Sequence, residues 1–308
     1  MSELKPVDYS GKKKMFSGSE LDNRTIKVLH HSKVQERFLY ILLFGAWGVG
    51  KTWALKGLLE KGFRIFVLGT DMGDNEVGGS KGLITIENAL RSEGKEHLLD
   101  NLMSVGLSGY METYNFLLDP TKFIPDFYQL NFDWLVWEGF SWFQQIDLSD
   151  YVAMSPISKE SSVARSTGLY FGKPDWGMIR NGTVRPMERF LSLYNKETGK
   201  QWHKIVTCQE NLKSNEEKAG GGFTNTQMPL LQGSGGILSG VGFDLIINAE
   251  ADNGVYTYSI RPGKNRMAKN RGFNLEPIMP GDMGALWSRV ASQLGQPISP
   301  LTNASEVG

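Results

Sequence analysis

Residues 38–52 read FLYILLFGAWGVGKT, and this run leaves the chain few ways to fold. FLYILLF (38–44) is continuously apolar and rich in strand formers, the mark of a strand covered on both faces. It passes directly into Gly-x-x-x-x-Gly-Lys-Thr, and WALKGLLEK behind it reads as a helix. Strand, glycine loop and helix in that order build a cradle for phosphate. Gly45, Gly48 and Gly50 let the backbone curl, so that the N–H groups of the loop, with Ala46, Trp47 and Val49 between the glycines, converge on an anion. Lys51 is then placed for the β- and γ-phosphates of a nucleotide, and Thr52 offers its hydroxyl to Mg²⁺. No Asn-Lys-x-Asp motif follows, so nothing selects guanine, and ATP is the expected nucleotide.

Further strand patterns recur along the chain: FRIFVLG (63–69), FDWLVWE (132–138), HKIVTC (203–208), FDLIINA (243–249) and VYTYSIR (255–261). Their helix-sized spacing predicts an α/β fold with a mostly parallel sheet flanked by helices. EADNG (250–254) reads as the turn of a hairpin at the sheet edge. Residues 90–130 carry helical patterns, and the Gly-, Ser- and Asn-rich residues 211–242 predict loops around one short helix. The expected organisation is a polar N-terminal arm (1–36) containing Lys12, Lys13 and Lys14, a nucleotide-binding core (37–275), and a C-terminal helix with a disordered tail (276–308).

Composition narrows the setting. The chain has 308 residues with 33 basic and 33 acidic side chains, so net charge argues for no particular partner. A single cysteine, Cys208, excludes an internal disulfide framework and fits a reducing compartment. No apolar run approaches the ~20 residues of a membrane helix, and the N-terminus does not read as a secretory signal. The expectation is a cytoplasmic protein.

Hydrolysis needs carboxylates beside the phosphate loop. FDWLVWEGF ends an apolar strand in Glu138, where an acid that orders Mg²⁺ belongs; an ordinary strand-end acid is the alternative. Asp71, just beyond the second strand in LGTDMG, is a candidate for polarising the attacking water, or a plain loop residue. Gln209, in IVTCQE, is placed to contact the γ-phosphate and the loop that follows, or merely to satisfy backbone groups.

In this order the pieces resemble the RecA-like P-loop ATPases, in particular the core-only type encoded by bacteriophages and associated with single-strand annealing and recombination. The resemblance spans Phe38 to Phe273: the phosphate loop, LGTDMG, FDWLVWEGF, the helix-like DWGMIRNGTVRPMERFLSLY, IVTCQE and the closing MAKNRGF (267–273). Two positions depart from the family pattern. Glu138 replaces the usual Asp, and the acidic pair after the second strand is reduced to Asp71 with Thr70 beside it. Hydrolysis is therefore expected to be weak or strongly stimulated.

The resemblance implies Mg-ATP hydrolysis by a ring or filament of identical subunits acting on single-stranded DNA, in the host cytoplasm if the chain is phage-encoded. It implies that Lys269 and Arg271 complete the nucleotide site of the next subunit, where cations stabilise charge on the transferring phosphoryl group. It also implies that the loops at about 144–172 and 211–228 hold DNA, through Lys159, Arg165, Lys213, Lys218 and Phe223. Acids in or beside both loops (Glu160, Glu210, Glu216, Glu217) oppose that reading. The alternative is a nucleotide-gated assembly or structural NTPase without DNA. A small-molecule kinase is disfavoured, because no Arg-rich lid segment follows Glu138.

Overall fold

The computed structural model describes residues 37–70, 81–148, 151–152, 173–216, 223–230, 242–263 and 267–300. The N-terminal arm, Asp71, Lys159, Arg165 and Lys218 lie outside the described residues, as does the C-terminal tail from 301.

Among the described residues, ten strands form one mixed sheet. In chain order they are β1 (Tyr40–Gly45), β2 (Ile65–Gly69), β3 (Leu102–Gly106), β4 (Trp134–Glu138), β5 (His203–Glu216), β6 (Phe223–Pro229), β7 (Leu245–Asp252), β8 (Val255–Ser259), β9 (Lys269–Asn270) and β10 (Ile278–Pro280). Their spatial order is β10-β8-β7-β1-β5-β4-β2-β3, with β6 paired to β5 and β9 to β7. The run from β7 to β3 is parallel. The hairpin β7–β8, the short β10 beyond it, and the pairs β5–β6 and β7–β9 are antiparallel.

The helices are α1 (Lys56–Glu60, entered by a 3-10 turn at Trp53–Leu55), α2 (Lys81–Ser92), α3 (Tyr110–Leu118), α4 (Phe140–Trp142, continuing as a wider π-type turn to Asp147), α5 (Lys173–Ser192) and α6 (Met283–Leu294). The apolar run of β1 is covered on both faces, as its unbroken hydrophobicity requires. Ile41 and Leu43 join a core with Leu55, Leu58, Ile86, Trp134, Leu286 and Val290, on the side of α1, α2 and α6. Leu42 and Phe44 join a second core with Phe66, Phe116, Trp137, Phe143 and Phe190, on the side of α3, α4 and α5.

Three segments differ from the sequence reading. Residues 90–130 contain strand β3 as well as helix: LMSVG pairs with all of β2, but it is half exposed and lacks a hydrophobic period of its own. Within 211–242, residues 211–216 and 223–229 pair as a hairpin from Glu210–Pro229 to Glu216–Phe223. Their polar side chains hid a structure made by backbone pairing. Finally, β10 pairs beyond β8, although its last residue is a proline; Pro280 is tolerated there because this is the outermost strand.

Candidate functional site

The loop after β1 lies at the carboxyl ends of the parallel strands, with β5 and β7 on either side. Gly48 and Gly50 have φ of 77° and 78°, a region that side chains resist. Gly50 is further confined, because a Cβ built on it would lie 2.9 Å from the ring of Tyr256 on β8. Gly45 is pressed still more closely against the carbonyl of Ala249. Trp47, at the crest, is 73% exposed, and Ala46 and Val49 complete the loop.

Lys51 folds back over this loop. Its Nζ donates to the carbonyls of Gly45 (2.9 Å) and Ala46 (2.6 Å) and to Gln209 Oε1 (3.3 Å). Thr52 donates its hydroxyl to the carboxylate of Glu138, which is 4% exposed at the end of β4. Four residues chosen from three separate motifs, Lys51, Thr52, Glu138 and Gln209, are thus brought together by the adjacency of β1, β5 and β4.

The sequence reading did not single out the groups that hold this set in place. Gly139 follows Glu138 with φ 80°, turning the chain sharply into α4, and its N–H donates to Thr207 Oγ1 at 3.2 Å. Ser141 Oγ accepts from the Gln209 amide at 2.8 Å and donates to the Leu230 carbonyl at 3.3 Å. Leu230 N–H returns to the Gln209 carbonyl at 2.7 Å. The hairpin β5–β6 is therefore bonded to Gln209 at its base. Thr70, in the slot beside Asp71, turns its hydroxyl to the carbonyls of Glu138 (3.2 Å) and Gly139 (3.1 Å). It acts as a backbone clamp between β2 and the turn after β4. Nothing in the local sequence marks these hydroxyls, since each finds its partner only across the sheet.

Cys208, beside Gln209, is fully buried, and burial pushes its thiol up to about 12 against a smaller opposing effect of Lys51. It is an inert packing residue.

Lys269 lies in β9 and pairs with Ile246, while the Arg271 amide donates to the Asp244 carbonyl at 3.0 Å. Arg271 Nη1 stands 3.9 Å from Asp244 Oδ1. Burial, with Arg271 adding, lowers the pKa of Lys269, and Asp244 opposes. Ala249, which touches the phosphate loop, is five residues beyond Asp244 and three beyond Ile246 on β7. At ~3.3 Å per residue these separations are about 17 Å and about 10 Å along the sheet. Both cations therefore sit toward the opposite end of the sheet from their own phosphate loop. The segment reaches the hairpin as well, because Met267 N–H donates to the Gln227 carbonyl of β6 at 2.9 Å.

Of the remaining candidates, Lys213 and Phe223 have their backbones in the hairpin, opposite Thr226 and Glu216. Among the described residues no helix is long and apolar enough to cross a membrane, and no three His, Cys, Asp or Glu side chains gather as a metal cage. Mg²⁺ needs no such cage: it keeps several waters and takes one or two protein oxygens beside the phosphates. The Thr52 hydroxyl and Glu138 carboxylate fit that demand.

No protein-family model matches the chain, and no curated protein matches it. Among solved structures it is similar to one titled crystal structure of the RadB recombinase, at 12% identity and a TM-score of 0.42, covering 78% of this chain and 84% of that chain.

Proposed function

We propose that this chain is a Mg-ATP-dependent ATPase with a RecA-like core, assembling with copies of itself and acting on single-stranded DNA in phage recombination or replication. The observation that carries the nucleotide reading is the hydrogen bond from Thr52 to Glu138, across 86 residues of sequence. A hydroxyl at the end of a phosphate loop and a buried carboxylate at the end of β4, one strand beyond β5, have a joint use as ligands of a divalent cation. Thr52 and Glu138 would hold Mg²⁺ there, and the ion would supply neutralisation of phosphate charge and polarisation of the phosphoryl group. The chain's own groups bind and orient. Loop amides hold the phosphates, Lys51 exchanges its carbonyl partners for phosphate oxygens, and Gln209 senses that exchange.

The oligomer is supported by the placement of Lys269 and Arg271 away from their own loop, where they serve a neighbour better than themselves. The DNA role rests on the motif order, together with a hairpin whose base is bonded to Gln209. The deciding experiment measures ATP turnover with and without single-stranded DNA. Stimulation by DNA supports the proposal. No stimulation, together with no DNA binding at low salt, replaces it with a nucleotide-gated assembly NTPase.

A further inference from the structure

Gly82 is the second residue of α2, a twelve-residue helix, and glycine is the poorest helix former after proline. Its place is explained by what it faces. A Cβ built on Gly82 would lie 2.5 Å from Oγ1, 2.6 Å from Cβ and 2.7 Å from Cγ2 of Thr52. All three nearest atoms belong to one side chain, the threonine of the phosphate loop.

That side chain has little freedom to yield. Threonine is β-branched and stiff about χ1, and rotation away from Gly82 would break the bond its hydroxyl donates to Glu138. The helix has little freedom either. Leu83, Ile86 and Leu90, on its buried face, are at most 1% exposed within the core beneath α1 and α6. The Thr52 side chain is thus held between a carboxylate that accepts its hydrogen bond and a glycine backbone that blocks its other side.

We infer that Gly82 is a positioning residue for a divalent cation: α2 presents a bare backbone to Thr52 and fixes the rotamer in which its hydroxyl faces the cation. The inference rests on the metal reading of Thr52 and Glu138 and adds a third element to it. It assigns α2, which carries none of the recognised motifs, a direct effect on metal affinity.

The test titrates Mg²⁺ against binding of a fluorescent ADP to the full chain, with a parallel titration in EDTA and a thermal melt to verify folding. Gly82→Ala should raise the Mg²⁺ concentration for half-maximal binding by about 10–100-fold, as loss of a supporting partner does at metal sites. Affinity in EDTA should match wild type, since no phosphate contact is touched. Thr52→Ser keeps the hydroxyl but removes the methyl that abuts Gly82, and it should raise the Mg²⁺ requirement several-fold without any new clash. It decides the matter alone if Gly82→Ala does not fold. Thr52→Ala calibrates the metal reading. If Thr52→Ala shifts the Mg²⁺ dependence while folded Gly82→Ala and Thr52→Ser both match wild type, Gly82 positions nothing and the inference is overturned. If Thr52→Ala has no effect, the metal reading fails and takes the inference with it.

Discussion

Gln209 Oε1 accepts a hydrogen bond from Lys51 Nζ at 3.3 Å, joining β5 to the loop after β1 across 158 residues of sequence. The amide is neutral, so Lys51 can leave it for a phosphate at small cost. A carboxylate in the same place would hold the cation and repel the γ-phosphate. Gln209→Glu is therefore expected to weaken ATP more than ADP, shifting the ratio of their affinities by about tenfold or more, the scale of one hydrogen bond to a charged group. Equilibrium titration of both nucleotides checks this. An unchanged ratio would place the γ-phosphate out of reach of Gln209.

Glu138→Gln should leave nucleotide affinity within a few-fold of wild type and lower turnover by about 10–100-fold, because a neutral amide orders Mg²⁺ and water poorly. The Thr52 hydroxyl still finds an acceptor in the amide oxygen, so the fold should survive. Steady-state kinetics beside a binding titration separates the two effects. Normal turnover would mean that the metal-ordering acid lies elsewhere.

Lys269→Ala and Arg271→Ala subunits should bind ATP through their intact loops and hydrolyse it poorly, since cations supplied to a neighbouring site are worth about 10³–10⁵ in rate. Mixing tests whether they act between subunits. Lys51→Ala has a dead site and good cations; Arg271→Ala has the reverse. Co-assembled, they should recover partial turnover that neither shows alone. Absence of recovery in verified co-assemblies, or a fully active monomer, would rule out action in trans.

Lys204 sits fully buried where β5 begins, donating to the carbonyls of Leu191 (2.5 Å), in the last turn of α5, and Leu193 (2.7 Å), just past it. Burial pulls its pKa down from 10.5 to about 7. An unfolded lysine keeps its proton to roughly pH 10.4. Between these values the unfolded chain binds more protons at this site, so its contribution to stability rises with pH across that window and is flat below it. Lys204→Met removes the titration and leaves two carbonyls without a donor, so it should melt lower throughout. The gap in stability between wild type and Lys204→Met should widen from pH 7 to 10, by at most about 1.4 kcal/mol per pH unit. A gap independent of pH would show that Lys204 does not change protonation in this range.

What could be read in advance followed from local pattern. The phosphate loop was legible because its chemistry is contiguous, and Glu138 because an apolar strand points to the acid at its end. Strand β3 was not, since LMSVG is an edge strand with no buried face to impose alternation. Residues 211–216 and 223–229 were not legible as strands because polar side chains describe a loop equally well. Gly82 and Ser141 were invisible for a deeper reason: each matters through a contact made only after distant strands have aligned. Lys269 and Arg271 were visible as cations, but their register against Ile246 and Asp244 was not.

Helix α1 is five residues long after its entering turn, too short to hold its shape by its own hydrogen bonds. It is held where Gly57 and Gly284 meet, so closely that no side chain fits between α1 and α6, with Asp282 capping α6 through the amides of Gly284 and Ala285 at the same point. The phosphate loop therefore stands on a footing laid by the last of the described helices. A polypeptide ended at residue 280 would retain every motif on which the nucleotide reading rests and still lack the ground beneath its loop, so in this architecture the proposed site is complete only once α6 has docked.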